Sequence, residues 1–156
     1  TLKILQILEK ITFKDKTMYL QNDVKDIFNL ITGIDDITGQ IYRLYHSAFG
    51  RLPDKEGFQY WISQHQLETA SLQDISDIFI NSDEFISNDK LNKNNSNFLK
   101  ELYENTFDRI PDQDGYSYWM SQLNTGFTTK GDILLSFSES FESKTLFVES
   151  TSMTYI

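Results

Sequence analysis

The chain of 156 residues contains no cysteine, only two prolines and only seven glycines. Without cysteine the protein can form neither a disulfide nor a cysteine-ligated zinc site, and thiol chemistry is excluded. No apolar run approaches the roughly 18 residues that a membrane-spanning helix needs, so we expect no membrane insertion. The formal net charge is −9. Because that charge repels phosphate backbones and anionic bilayers, nucleic acid and membrane surfaces are poor candidate partners.

The rest of the composition is that of a folded protein. Aromatic residues make up 14% of the chain, which argues against disorder. The length suits one domain or two small ones with a real core. Because the chain begins at Thr1 rather than at a methionine, we expect it to be an excerpt, or the processed end, of a longer protein.

One thirteen-residue motif occurs twice, at residues 49–61 and 107–119, and reads Phe-x-Arg-x-Pro-Asp-x-x-Gly-x-x-Tyr-Trp in both places. It contains both prolines and both tryptophans of the chain. The same offset also matches residues outside the motif, among them Leu44 with Leu102, Phe79 with Phe137 and Glu84 with Glu142. A gapless register over about 40 residues predicts two equivalent units of roughly four helices each.

The predicted fold is mainly α, with two related four-helix units packed together after a short N-terminal β-hairpin. Alternating polar and apolar residues place the hairpin strands at 11–13 and 17–20. We divide the chain into a hairpin and connecting segment at 1–37, a first helical repeat at 38–95, a second at 96–149, and a tail at 150–156. The polar stretch 88–97 is the expected linker between the repeats.

Helix-capping residues mark the expected helix ends. The predicted N-caps are Thr38, Asp54, Ser71, Asp112 and either Ser96 or Asn97. Gly50 and its counterpart Asp108 stand where a helix commonly ends in a left-handed residue.

The recurring arginines have natural carboxylate partners. Arg51 and Arg109 precede the second helix of each unit, and Glu84 and Glu142 recur in the same register. We interpret them as structural ion pairs that hold the turn; the alternative is a clamp for an anion or a sugar acid. Breaking a partly buried pair would cost about 3–5 kcal/mol. Replacing Arg109 should therefore destabilise the fold far more than replacing Arg43, which we expect at the surface.

The motif also offers weaker candidates for ligand binding. Asp112 and Asp114 could be read as calcium ligands, but the other oxygen ligands of a calcium loop are missing, so the prediction is no cofactor, with calcium as a minor alternative. Two Tyr–Trp pairs could stack on sugar rings or be core residues; they are Tyr60 with Trp61 and Tyr118 with Trp119. The two histidines neither recur nor stand at a metal-ligand spacing.

Residues 42–54, together with Gly57 and 58–61, resemble a bacterial domain-of-unknown-function family, number 4214. Residues 81–85 and 136–140 are similar to the second block of its pattern. The resemblance implies a module of large secreted or surface-anchored proteins, often beside RTX-type calcium-binding repeats or in S-layer-like proteins. It implies no catalytic residue. The motif positions it covers are Arg51, Pro53, Asp54, Gly57, Trp61 and Glu84, and their counterparts Arg109, Pro111, Asp112, Gly115, Trp119 and Glu142.

From these observations we expect a non-enzymatic extracellular module that mediates assembly, anchoring or display within a larger bacterial protein. Its expected partners are other segments of that protein or components of the cell surface. The alternative is a carbohydrate-binding module that uses the Tyr–Trp pairs.

Overall fold

The computed structural model describes residues 20–87 and 94–151, and this part of the chain is helical, with no strand. Its helices are α1 (Leu20–Leu30), α2 (Ile37–Phe49), α3 (Lys55–Gln66), α4 (Leu72–Ile80), α5 (Asp83–Ser87), α6 (Asn95–Phe107), α7 (Gln113–Asn124), α8 (Lys130–Ser138) and α9 (Phe141–Thr151). The predicted hairpin lies outside the described residues, apart from Leu20, which begins α1. None of these helices is both long and apolar enough to cross a bilayer.

The internal repeat of the sequence is also a repeat of helices. Helices α6, α7 and α8 begin and end 58 residues after α2, α3 and α4, and α9 begins 58 residues after α5 but is longer. The mainly helical prediction with two related four-helix units is therefore confirmed for the described residues.

Most predicted caps are present. The carboxylates of Asp54 and Asp112 each accept the backbone N–H three residues on, at 2.8 Å. Ser71 forms a reciprocal capping box, and Thr129 repeats that arrangement at the start of α8. Gly50 and Asp108 adopt the left-handed conformation, with φ of 62° and 53°. The sequence thus located most helix ends through local hydrogen bonding.

Two predicted caps are wrong. Helix α2 is capped by Asp36 instead of Thr38, because the Asp36 carboxylate reaches two backbone amides, at 2.9 and 3.2 Å. Thr38 instead accepts a hydrogen bond from the Thr32 N–H. Helix α6 is capped by Asn94, which accepts from the Asn97 N–H at 2.9 Å, so it begins earlier than the expected cap positions allow.

The two units pack through equivalent helices. Helix α4 lies along α8, and α2 lies along α6. Ile75 on α4 and Ile133 on α8 are completely buried, and the Ser76 hydroxyl donates to the Gly131 carbonyl at 2.8 Å. Helix α2 also packs along α8, so it contacts two helices of the second unit. This central position leaves few α2 residues in contact with solvent.

Helix α1 covers one side of the first unit. Its residues Val24 and Ile27 are buried, and so is Ile31 just after it. The Phe28 ring lies 5.7 Å from the ring of Tyr42 on α2. This apolar face, repeated at helical spacing, explains why α1 forms and stays attached.

Candidate functional site

Each repeated turn contains a bidentate arginine–glutamate pair. In the first unit Arg51 Nε and Nη2 donate to the two carboxylate oxygens of Glu84, both at 2.7 Å. In the second unit Arg109 makes the same two bonds to Glu142 at 2.8 and 3.0 Å. The pairing expected from the repeat register is therefore confirmed in both units. The hydrogen bond to Glu84 raises the pKa of the Arg51 guanidinium, and the hydrogen bond to Glu142 raises that of Arg109.

The arginines also contact their own turns. Each donates through Nη1 to the next backbone carbonyl, at 2.8 Å from Arg51 and 3.3 Å from Arg109. Each guanidinium lies 5.1–5.5 Å from the centres of two aromatic rings, those of Tyr45 and Phe49 or of Tyr103 and Phe107. These contacts support the structural interpretation over the anion clamp, because the Nε–Nη2 edge of each guanidinium, which would bind an anion in a bidentate way, already binds a carboxylate.

Solvent access makes these pairs weaker than expected. The Arg109 side chain is 40% exposed and that of Glu142 is 43% exposed. Water screens such a pair, so its removal should cost about 1 kcal/mol or less. The premise of the larger cost, a partly buried pair, does not hold for Arg109, because the pair lies at the rim of the turn and not within the core. We therefore expect the smaller cost for this residue.

The buried arginine is Arg43, so the prediction that it lies at the surface is wrong. Its side chain is only 2% exposed and pairs with Glu139 at 2.8 Å. Its Nε also donates to the Ser138 carbonyl and its Nη1 to the Ile34 carbonyl, at 3.0 and 2.7 Å. The Phe147 ring lies 5.3 Å from the guanidinium carbon. Arg43 therefore ties the segment before α2 to the junction between α8 and α9.

Sequence reasoning missed Arg43 because the repeat register gives no hint of its role. Glu101 stands at its position in the second unit, and Glu139 lies 96 residues further along the chain. Lys144 extends the network, with Nζ 2.6 Å from Asp35 and 3.7 Å from Glu139. The hydrogen bond from Lys144 lowers the pKa of Asp35.

The motif glycines allow a close approach between helices. A Cβ added at Gly57 would lie 2.7 Å from the Tyr45 hydroxyl oxygen, and one at Gly115 would lie 2.6 Å from that of Tyr103. Such separations are shorter than van der Waals contact, so a side chain at either position would displace the tyrosine. Pro53 is buried and Pro111 half-buried, each in the turn that precedes the helix with the motif glycine.

The two Tyr–Trp pairs divide between core and surface. Trp61 and Trp119 are half-buried and lie edge-on to Phe79 and Phe137, with ring centres 5.6 and 5.5 Å apart. Tyr60 is 54% exposed and Tyr118 is 56% exposed. The tryptophans therefore help hold α3 and α7 on the core, and the outward-facing ring of each pair is the tyrosine.

Other polar candidates have local partners. Asp112 caps α7, and the Gly115 N–H lowers the pKa of its carboxyl. Asp114 is exposed in the first turn of the same helix. Within residues 20–87 and 94–151, no three His, Asp or Glu side chains cluster closely enough to hold a metal ion. The His46 ring stacks on Tyr42, and His65 Nδ1 lies 3.1 Å from the Ala70 carbonyl oxygen.

An open groove of about 610 Å³ runs between α6 and α7. Its lining includes Lys100, Glu104, Ile110, Pro111, Gln113 and Tyr116. Ile110 is 77% exposed, although Leu52, at the matching position of the first unit, is only 7% exposed. Sequence reasoning missed the groove because Leu52 and Ile110 are both apolar and stand at equivalent positions of the repeat. The repeat does not reveal which of the two is buried.

Comparison with known proteins gives one family. A sequence model of the family described as "Domain of unknown function (DUF4214)" matches residues 37–87 and 76–147. The matched ranges span α2 to α9 and include both copies of the motif. No match was found among curated proteins or among solved structures. The chain therefore belongs to the DUF4214 family.

Proposed function

We propose that this chain is a non-enzymatic helical module that mediates assembly, anchoring or display within a larger secreted or surface-attached bacterial protein. The proposal is supported by the contacts that the recurring motif side chains make in both units. The recurring arginine, aspartate, glycine and tryptophan side chains of the motif are engaged in turns, caps and core packing. The recurring side chains therefore mainly hold the fold together, which suits a scaffold.

The outward apolar side chains, in contrast, differ between the units. Phe127 and Phe141 are 84% and 81% exposed, and their first-unit counterparts are Thr69 and Asp83. Large apolar side chains on an acidic surface favour contacts with another protein surface. The second unit is thus the better candidate for the interacting half.

A variant of the exposed apolar residues tests the assembly role. We expect Ile110→Ser, Phe127→Ser and Phe141→Ser together to leave the fold intact, because all three side chains are exposed. The same changes in the full-length parent protein should reduce its self-association, measured by sedimentation velocity, or its retention on intact cells. The control is Leu67→Ser with Ile78→Ser on the first unit. Wild-type behaviour of the triple variant in both measurements would contradict the proposal.

The extracellular location rests on family resemblance, the acidic charge and the lack of cysteine. It is tested by adding a protease to intact cells that produce the parent protein. An exposed module is cleaved under these conditions, whereas a protected one is cleaved only after lysis.

A carbohydrate-binding role is the second candidate, favoured by one observation. Tyr60 and Tyr118 recur, are about equally exposed, and each lies edge-on to its neighbouring tryptophan at 4.9 Å. A glycan array with the wild-type chain and with Tyr60→Ala, Tyr118→Ala tests this role. Saturable binding that the double variant loses, and that the exposed Phe127→Ala control keeps, would favour carbohydrate binding over assembly.

A further inference from the structure

We propose that the groove between α6 and α7 binds an amphipathic helix from another protein segment, in the way that α1 occupies the matching groove between α2 and α3. This inference rests on the proposed role as an interaction module. It specifies the partner as one helix with an apolar stripe, one acidic residue and one basic residue.

The first unit shows how a helix occupies this surface. Three of its groove positions contact the α1 segment: the Tyr42 ring meets Phe28 at 5.7 Å, Lys55 Nζ lies 3.0 Å from the Asp26 carboxylate, and Arg43 donates to the Ile34 carbonyl. Their counterparts 58 residues on are Lys100, Gln113 and Glu101, and all three line the open groove. The open groove is therefore the same surface of the repeated unit.

Burial differs between the two units. In the first unit, which carries α1, Leu52 and Phe58 are almost completely buried. Their counterparts are Ile110, which is 77% exposed, and Tyr116, which is half-buried. No residue of α7 is fully buried. An apolar strip that the first unit keeps from water is thus accessible in the second, and burial of such a strip drives helix-in-groove binding.

The direction of the bound helix also follows from the first unit. Gly33 and Ile34 lie against the start of α2 at Gly39, and Phe28 lies further along α2 at Tyr42, so α1 runs antiparallel to α2. At the Gly39 position the second unit has Asn97. A Cβ at Gly39 would lie 2.3 Å from the Gly33 carbonyl oxygen. Asn97 has a side chain where Gly39 has none, so a segment cannot approach α6 there as residues 33 and 34 approach α2. The bound helix must therefore end before Asn97, and cannot continue into a turn like that at residues 31–36.

The charges of the groove define the polar edge of its partner. Lys100 replaces Tyr42, and Glu104 replaces His46 one turn further along the helix. An antiparallel partner helix should thus present an acidic residue at the position of Phe28 and a basic residue about one turn earlier. Its apolar stripe should have the spacing of Val24, Ile27 and Ile31.

Two labelled peptides test this geometry on the whole 156-residue chain. Both comprise residues 20–32 with blocked ends, one with Phe28→Glu and the other with Phe28→Lys, and binding is measured by fluorescence anisotropy. We expect the glutamate peptide to bind about three- to tenfold more tightly, because it faces Lys100. Lys100→Glu in the chain should reverse that preference. Ile110→Asp should weaken both peptides at least tenfold, whereas Phe127→Asp, at an exposed position outside the groove, should change neither.

Two outcomes would overturn the proposal: neither peptide binds saturably, or Ile110→Asp and Lys100→Glu leave binding unchanged, which would place the peptide elsewhere. Failure of the assembly role gives a different result. If the peptides do not bind but the exposed-residue triple variant loses assembly, the groove is wrong and the module role stands. If the peptides bind as expected and that variant assembles normally, the groove is a helix site and the assembly role is wrong.

Discussion

Arg43 and Arg109 both pair with a glutamate, but in different surroundings. Arg43 is enclosed by the segment before α2 and by the junction between α8 and α9, and four of its contacts are hydrogen bonds shorter than 3.1 Å. Arg109 makes bonds of similar length at the protein surface. Distances alone therefore do not rank the two pairs; burial does, because loss of one buried partner leaves a poorly hydrated charge without its main counter-charge.

We predict that Arg43→Ala destabilises the fold by about 3–5 kcal/mol, because it leaves Glu139 without its main partner. Arg109→Ala should cost about 1 kcal/mol or less. Urea denaturation at neutral pH measures both. The double variant Arg43→Ala with Glu139→Ala should lose less than the sum of the two single changes, because the residues are coupled. A loss for Arg109→Ala as large as that for Arg43→Ala would contradict this ranking.

Gly39 provides a second test at the scale of one residue. An added Cβ would lie 2.3 Å from the Gly33 carbonyl oxygen and 2.6 Å from that of Ile34, and backbone atoms cannot rotate away. We predict that Gly39→Ala costs about 1–3 kcal/mol through overpacking, despite alanine's better helix propensity. Asn97→Ala, at the counterpart position, is the control and should be nearly neutral. Thermal unfolding compares the two; a stabilised Gly39→Ala variant would show that the segment before α2 is loosely held.

At the scale of elements, α1 makes the two units unequal. It covers α2 and α3 of the first unit, and within the described chain no helix packs in the same way on α6 and α7. The proline turn of each unit has the same local hydrogen bonds, so the difference lies in tertiary contacts and not in the motif.

This inequality predicts opposite outcomes for the same kind of substitution. Leu52→Ala should cost about 2–4 kcal/mol, because it opens a cavity at a buried position. Ile110→Ala removes an exposed side chain and should stay within about 0.5 kcal/mol of wild type. Equilibrium unfolding in urea distinguishes them. Equal losses would mean that the second turn is covered in solution as the first is.

At the scale of the molecule, the two units share one hydrophobic core, in which the Tyr42 ring meets Phe147 and the Phe85 ring meets Phe98. Burial raises the pKa of Tyr42 on the central helix, raises that of Tyr45 to about 12, and raises that of Tyr103 in the second unit. In the unfolded chain a tyrosine titrates near pH 10. The folded state therefore holds these protons more tightly, and folding is favoured most below pH 10.

We predict that the free energy of unfolding falls as the pH rises from about 10 towards 12, because the unfolded chain releases these protons first. Tyr45→Phe should make that fall shallower, since it removes one buried hydroxyl. Thermal unfolding between pH 8 and 11.5 measures both slopes, with Leu67→Ala as an exposed control that carries no titrating group. A stability that does not change above pH 10 would contradict the prediction.

The sequence by itself determined the parts of the structure that depend on near neighbours and on the repeat. The caps at Asp54 and Asp112 follow from a carboxylate three residues before a free amide, and the Arg51–Glu84 and Arg109–Glu142 pairs follow from a register that recurs. The helical content and the two equivalent units follow from the same repeat.

Only the tertiary structure decided which of these features are buried. Arg43 is enclosed because its side chain contacts both Glu139, which lies 96 residues away in the chain, and Ile34. Leu52 is buried and Ile110 exposed, although they stand at equivalent positions of the repeat. Burial depends on contacts between segments far apart in the chain, and such contacts leave no periodic pattern in the sequence.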